Sequence, residues 1–342
     1  MNRLVFTDDE LKAIKALLAE IASRYRQAED PSLLREACLY AHELPRRVRE
    51  FLNSFRALES PPGVCLLSGY PIDDAKIGAT PTHWQVKHDV SRSLEQELLL
   101  ILFGSLLGNP IGWATQQNGH IIHDVLPIAG HEHEQLGSSS EELLWWHTED
   151  AFHPYCCDYL IMLCLRNPDR VATTMAAIEW LKLEEKQVEV LFEPRFTIRP
   201  DESHLEKNKA DQERPNGQQE SLQNAYQKIN RMHESPEKLS VFFGDRRAPY
   251  MRIDPYFMDR LEDEEAQNAL DALVKQIDQR LTSVVLQPGD FIFIDNFRVV
   301  HGRKPFKARY DGFDRWIKRI NVTRDLRKSR SVRLESTSPI IF

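Results

Sequence analysis

A chain of 342 residues, 42% apolar and 28% charged, can bury a substantial core without disulfides or metals holding it together. No apolar run is long enough to span a bilayer, which argues against a membrane protein. A net charge of −8 with dispersed basic residues argues against nucleic-acid binding. The N-terminal MNRLVFTDDELK carries no apolar leader, so a cytoplasmic location is expected. The five cysteines form no CxxC pair and are expected to be buried, reduced thiols.

Thr7 to Glu10 has the pattern of a capping box, and Leu11, Ile14, Leu17, Leu18 and Ile21 follow at helical spacing, which predicts a helix to about Arg26. A second helical segment begins near Pro31 and is broken at Pro45. Residues 1–60 therefore form a helical N-terminal layer without chemistry of its own. Gly63–Tyr70 is a short strand, Ser91–Leu107 an apolar helix stopped by Gly108-Asn109-Pro110, and Ile121–Ile128 a β-like segment before a His-rich loop. Tyr159–Arg166 and Val171–Met175 are strands, the latter followed by a helix through Glu185. Residues 200–220 are almost free of apolar side chains and are expected to form a mobile lid loop. Tyr250–Pro255 is a strand into a turn, and Leu261–Leu281 an amphipathic helix. Ser283–Leu286, the turn Gln287–Asp290 and Phe291–Asp295 form a strand–turn–strand unit. Arg315–Val322 is the last strand, and the basic tail beyond it is expected to be peripheral. No linker divides the chain. The expected architecture is mainly β with helices: a jelly-roll (double-stranded β-helix) core with N-terminal and inserted helical layers, one domain spanning 1–342.

The stretch with chemical content is Leu143–Phe152 (LLWWHTEDAF). In an extended chain His147 and Glu149 project to one face. An imidazole and a carboxylate so placed are two thirds of the 2-His-1-carboxylate triad that holds non-haem Fe(II) with open positions. A second histidine is available at His301, which ends a Phe/Ile/Val-rich strand and precedes Gly302, where close backbone approach is possible. Arg315 opens the next strand and can hold a carboxylate bidentately. His131 and His133 have the same alternating geometry but no apolar strand to fix them, so they are set aside.

The order HxE, a long insertion, PGD-FIFIDN-x-x-V-x-HGR and then an arginine resembles the Fe(II)/2-oxoglutarate-dependent oxygenases of the taurine dioxygenase and clavaminate synthase group, over roughly Gly63 to Val322. WHTEDAFHP and LRNPD are similar to the hydroxylases of free arginine, lysine or asparagine, and closest to the L-arginine hydroxylases of peptide antibiotic biosynthesis. The resemblance implies that His147, Glu149 and His301 bind Fe(II), and that Arg315 with Thr174, or its neighbour Thr173, holds the distal carboxylate of 2-oxoglutarate. It further implies that Arg319 meets the substrate's α-carboxylate, that Gln117 and Ser138 contact the amino-acid end, and that Glu149 touches the ammonium group. Asp254 is the acid for a cationic side chain. The family pattern there has two acids two residues apart, and Arg252 occupies the earlier position. The implied reaction consumes O₂ and 2-oxoglutarate and hydroxylates C3 or C4 of a free basic amino acid, with L-arginine as the first expectation. Lysine, asparagine, a carrier-bound residue or a desaturation are the alternatives within this fold, and a non-catalytic metal-binding jelly roll is the alternative outside it. The partners expected are small molecules, with no nucleic acid and no membrane.

Overall fold

The backbone forms strands β1 (Asn2–Val5), β2 (Val64–Ser68), β3 (Asn109–Trp113), β4 (His123–Val125), β5 (Leu144–His147), β6 (Tyr159–Arg166) and β7 (Thr173–Ala177). These are followed by β8 (Phe242–Asp245), β9 (Ala248–Met251), β10 (Thr282–Val284), β11 (Phe291–Asp295), β12 (Val299–Arg303), β13 (Trp316–Thr323) and β14 (Ile340–Ile341). The helices are α1 (Asp8–Arg24), α2 (Pro31–Ala41), α3 (Arg46–Ala57), α4 (Asp74–Ile77), α5 (Leu94–Leu107), α6 (Glu185–Leu191), α7 (Asn216–Glu234) and α8 (Glu264–Asp278). This computed structural model describes residues 1–59, 61–86, 89–208 and 216–342.

Two sheets face each other. The larger has eight strands in the order β1-β2-β11-β6-β13-β3-β14, with β4 also paired to β13, and the smaller has four in the order β10-β7-β12-β5. Both faces of the larger sheet are covered, so its strands read as continuous apolar runs. In β6, Leu160, Met162 and Cys164 point between the sheets, while Tyr159, Ile161, Leu163 and Leu165 point to the helices. In β11, Ile292 and Ile294 point inward and Phe291 and Phe293 outward by the same alternation. Helices α1, α2, α3 and α5 cover that outer face. α5 is buried on all sides, which is why its sequence lacks a polar stripe. α1 starts with the expected capping box, Thr7 accepting from the Glu10 backbone and Glu10 from the Thr7 backbone. On the far side, α6 and α8 pack on Trp146, Ala176 and Val300 of the smaller sheet. The jelly-roll core and its helical layers are thus as expected. Among the described residues no helix is long and apolar enough to cross a membrane.

Four local expectations are corrected. β10 and β11 do not pair: β10 joins β7 in the small sheet and β11 joins β2 and β6 in the large one. The Gln287–Asp290 turn is therefore a crossing between sheets, and Gly289 sits in it at φ +85° against the Tyr70 carbonyl, where only glycine fits. After β7 the chain makes a short 3₁₀ turn, and the helix begins at Glu185 rather than ending there. The tail is not peripheral, because β14 adds to β3 in parallel and the Arg333 guanidinium gathers the carbonyls of Leu326, Glu335, Ser336 and Ser338. Residues 200–220 are only partly loop where described: Glu202–His204 and Glu206–Asn208 are 3₁₀ turns, and α7 begins at Asn216. Residues 209–215 of that expected lid lie outside the described residues. The cysteines are free thiols as expected, though Cys38 is exposed.

A buried ion cluster ties the helical layer to the strand that carries Arg319. Lys318 Nζ lies 2.6 Å from Asp124 of β4 and 2.9 Å from Glu97 of α5, and Trp316 donates to Asp124 at 2.8 Å. Replacing the cation leaves two carboxylates buried without it, so Lys318→Met is expected to cost about 3–5 kcal/mol. Denaturant unfolding measures this, and a loss near zero would show the cluster to be dispensable.

Candidate active site

The two histidines are delivered by strand pairing. His147 and His301 are directly opposed in the antiparallel β5–β12 pair, which puts both imidazoles on the inner face with ring centroids 4.7 Å apart. Glu149 lies beyond the end of β5, and its backbone has no ladder partner. The side chain of Asn296, just after β11, takes that place. Its Oδ1 accepts from the Glu149 N–H at 2.7 Å, and its Nδ2 donates to the carbonyls of Glu149 at 3.0 Å and Cys157 at 2.9 Å. Glu149 Oε2 then stands 3.8 Å from His147 Nε2 and 3.5 Å from His301 Nε2.

These three donors fit a metal ion. Glu149 Oε2 is buried and accepts no hydrogen bond, an arrangement that is costly unless a cation completes it. His147 Nδ1 donates to the Trp145 carbonyl at 2.8 Å, which orients the ring so that Nε2 faces Glu149. Burial opposes a charged imidazole at His147, yet the carboxylates of Glu149 and Asp254 push it up to about 9. Burial and the neighbouring His147 bring His301 down to about 4. Burial also opposes ionisation of Glu149, but Arg319 and both histidines outweigh it and hold the carboxyl well below its ordinary range.

The donors line a cavity of about 260 Å³ shared with Arg315, Arg319, Gln117, Ser138, Asp254 and Thr173. Arg315 is buried and brought down to about 10 by that burial. Its Nε has no acceptor, and among the described residues no carboxylate pairs with it. Such a guanidinium is built for an anion that is not part of the chain. Thr174, by contrast, does not line the cavity. In the β7–β12 register Met175 opposes His301 and Thr174 opposes Gly302, so alternation sends Thr173 inward and Thr174 outward. Arg319 is turned to Glu149, Nη1 lying 2.6 Å from Oε1. Both ends of the Gln117 amide are engaged by the Asp124 backbone, and Ser138 is held by His131 Nδ1 at 2.9 Å. Burial pushes the Asp254 carboxyl up to about 7. His131 and His133 pair with nearby glutamates and, among the described residues, form no donor cluster.

Two histidines and a glutamate inside a double-stranded β-helix, beside a buried unpaired arginine, suit a non-haem iron oxygenase, and comparison with known proteins agrees. Residues 62–321 match the family model described as taurine catabolism dioxygenase TauD, TfdA family. The chain belongs to this dioxygenase family. It is 47% identical to an enduracididine beta-hydroxylase of Streptomyces hygroscopicus, with 100% of both chains covered. It is 44% identical to an L-ornithine/L-arginine 3-hydroxylase of Catenulispora acidiphila, again over 100% of both chains. The crystal structure of the non-haem iron oxygenase OrfP with Fe, succinate and (3S)-hydroxy-L-Arg matches it with a TM-score of 0.93 at 44% identity, covering 100% of each chain.

Several residues of this dioxygenase site are not among those expected from sequence. Asn296 was within reach, as an amide side chain closing a buried strand. Asp201 lines the cavity, and its charge is felt at Asp254. Its segment is anchored by His204, which is fully buried and bonds Asp150 at 3.0 Å and Thr115 at 2.8 Å. Asp150 itself accepts from Trp113 and Asn321 in a buried network under Glu149. Nothing in the polar composition around His204 signals this role.

Gly302 is what lets β5 and β12 approach so closely. A Cβ there would lie 2.6 Å from the Leu144 carbonyl oxygen and 3.0 Å from the Trp146 nitrogen. Gly302→Ala is expected to push β5, and His147 with it, away from His301, costing about 1–3 kcal/mol of stability. Calorimetric Mn(II) titration should show weakened metal binding, and an unchanged affinity would refute the dependence of the site on this contact.

Proposed function

We propose that this protein is an Fe(II)- and 2-oxoglutarate-dependent oxygenase that hydroxylates C3 of a free basic amino acid, L-arginine. The observation that carries the reading is one cavity joining a His-Glu-His donor set, a buried arginine without a counter-ion, a second arginine at the donor set and an acidic wall. The relatives add support: one is named for 3-hydroxylation of ornithine and arginine, and OrfP holds Fe, succinate and a 3-hydroxyarginine. Residues 1–342 act as one oxygenase domain. The free cysteines favour the cytoplasm as its compartment.

His147, Glu149 and His301 hold the iron. When bound, iron with 2-oxoglutarate and O₂ supplies an oxidant able to attack an unactivated C–H bond, releasing succinate and CO₂. The chain's own residues decide which carbon is presented. Arg315 takes the distal carboxylate of 2-oxoglutarate through its free edge, with Thr173 beside it. Arg319 receives the substrate's α-carboxylate, and Gln117 and Ser138 wall the amino-acid end. The two oxygens of Glu149 divide its roles, with Oε2 facing the histidines and Oε1 facing Arg319 and the substrate's ammonium group. Asp254 and Asp201 accept the guanidinium at the opposite end. Fixing both ends of a flexible chain leaves one region of its methylenes facing the metal, which is how orientation becomes regiochemistry.

Incubation with Fe(II), ascorbate and 2-oxoglutarate against each of the twenty amino acids, L-ornithine and L-enduracididine tests the reading. L-arginine should stimulate succinate release and gain 16 mass units at C3. No substrate-stimulated succinate with any of them would overturn it.

Asp254→Asn removes a charge-assisted contact to the guanidinium, so the KM for L-arginine should rise about tenfold or more. Discrimination against neutral L-citrulline should shrink in parallel. An unchanged preference in steady-state assays would exclude Asp254 from the guanidinium site.

A further inference from the structure

Arg319 does not reach the cavity unaided. Its cross-strand partner in β4 is His123, a buried imidazole that lines the same cavity. His123 Nε2 lies 3.0 Å from the His120 carbonyl oxygen, an acceptor only, so Nε2 carries the proton. Nδ1 is left with a lone pair, and it lies 3.0 Å from Arg319 Nη2, which donates to it. Burial and the Arg319 charge hold His123 well below the ordinary histidine range, in keeping with the neutral form this geometry needs.

The guanidinium is planar, and its N–H groups point in fixed directions. Nη2 is held by His123 and Nη1 by Glu149, which fixes the plane, while Nε is buried without an acceptor. A carboxylate can take two parallel N–H bonds only when that plane is correctly turned. His123 is also separate from the ion cluster on β4. Its neighbour Asp124, one residue on, binds Lys318 and Trp316. Alternation along β4 therefore gives one face to the ion cluster and the other to Arg319.

We propose that His123 is a positioning residue for amino-acid recognition, accepting the Arg319 Nη2 hydrogen and setting the plane in which Arg319 meets the α-carboxylate. This role rests on Arg319 being the α-carboxylate ligand of the proposed reaction.

The test separates the two ring nitrogens. The Oδ1 of an asparagine falls where Nδ1 of the imidazole lies, so His123→Asn keeps the acceptor for Arg319. The amide of a glutamine falls where Nε2 lies, so His123→Gln keeps the bond to His120 and loses the acceptor. With the iron- and 2-oxoglutarate-loaded enzyme, His123→Gln should raise the KM for L-arginine about tenfold to a hundredfold. The kcat and the KM for 2-oxoglutarate should stay close to wild type, and His123→Asn should restore most of the loss. L-argininamide, which lacks the carboxylate, should respond equally little to both variants. The same order is expected for the Kd of L-arginine measured by calorimetry with Mn(II) in place of iron. Equal behaviour of the two variants, or a parallel loss with L-argininamide, overturns the positioning role while leaving the proposed reaction intact. A wild-type enzyme that neither binds nor turns over L-arginine takes down both.

Discussion

Glu149 is held by both sheets at once, and the site depends on that. Its chain direction comes from β5 in the small sheet, through the His147–His301 pair. Its peptide is gripped by Asn296 at the end of β11 in the large sheet. A strand ladder alone would have placed the histidines and left the carboxylate on a free end. The amide clamp stands in for the missing ladder and sets the distance between the two sheets at the point where the donors meet. Asp150, the next residue, has φ +52°, a conformation uncommon outside glycine, so the chain turns sharply there and needs its many side-chain bonds to stay turned.

The second constraint is charge. Arg303, Arg315, Arg319 and Lys318 are all buried or nearly so, and burial at this density is expensive unless each charge is answered. Lys318 is answered within the chain by Glu97 and Asp124. Arg303 is answered by the carbonyls of Ser140 and Glu142 and the Ser139 hydroxyl. Arg315 is not answered, and the proximity of Arg303 deepens the positive field around it. The scaffold therefore carries a buried cation without a counter-ion, and an anion bound beside it would add to the stability of the folded state.

Legibility in the sequence followed the reach of each interaction. His147 and His301 were readable because alternation along a strand is a local rule and each ends an apolar run, and Arg315 because it borders the apolar run of β13. Glu149 lies past the end of β5, where the Asn296 clamp rather than alternation places it. The choice between Thr173 and Thr174 was not, because it turns on the register of β7 against β12, which no local pattern fixes. The PGD turn was visible as a turn, but its crossing from one sheet to the other was not, since a tight turn between two apolar runs reads as a hairpin. Asp201 and His204 were hidden for a different reason. Their segment is polar throughout, and only tertiary contact with Asp150 and Thr115 distinguishes His204 from a surface histidine.

The acidic end of the cavity shows how a departure from the family pattern can be absorbed. Arg252 stands where that pattern has an acid, and a cation there would repel a basic substrate if it faced the cavity. It is absent from the cavity wall, and its charge is felt instead at Cys156 and His153. Asp201, delivered from a different part of the chain by the His204 anchor, lies close enough to Asp254 to oppose its ionisation. Burial and the Asp201 charge disfavour ionisation of Asp254, and a cation bound between the two carboxylates would relieve it. Two acids thus face this end of the cavity, carried on two separate segments of the chain. The segment that carries Asp201 is anchored through His204 to Asp150, the residue next to Glu149, so the acidic end of the cavity and the His-Glu-His donor set share one hydrogen-bonded support.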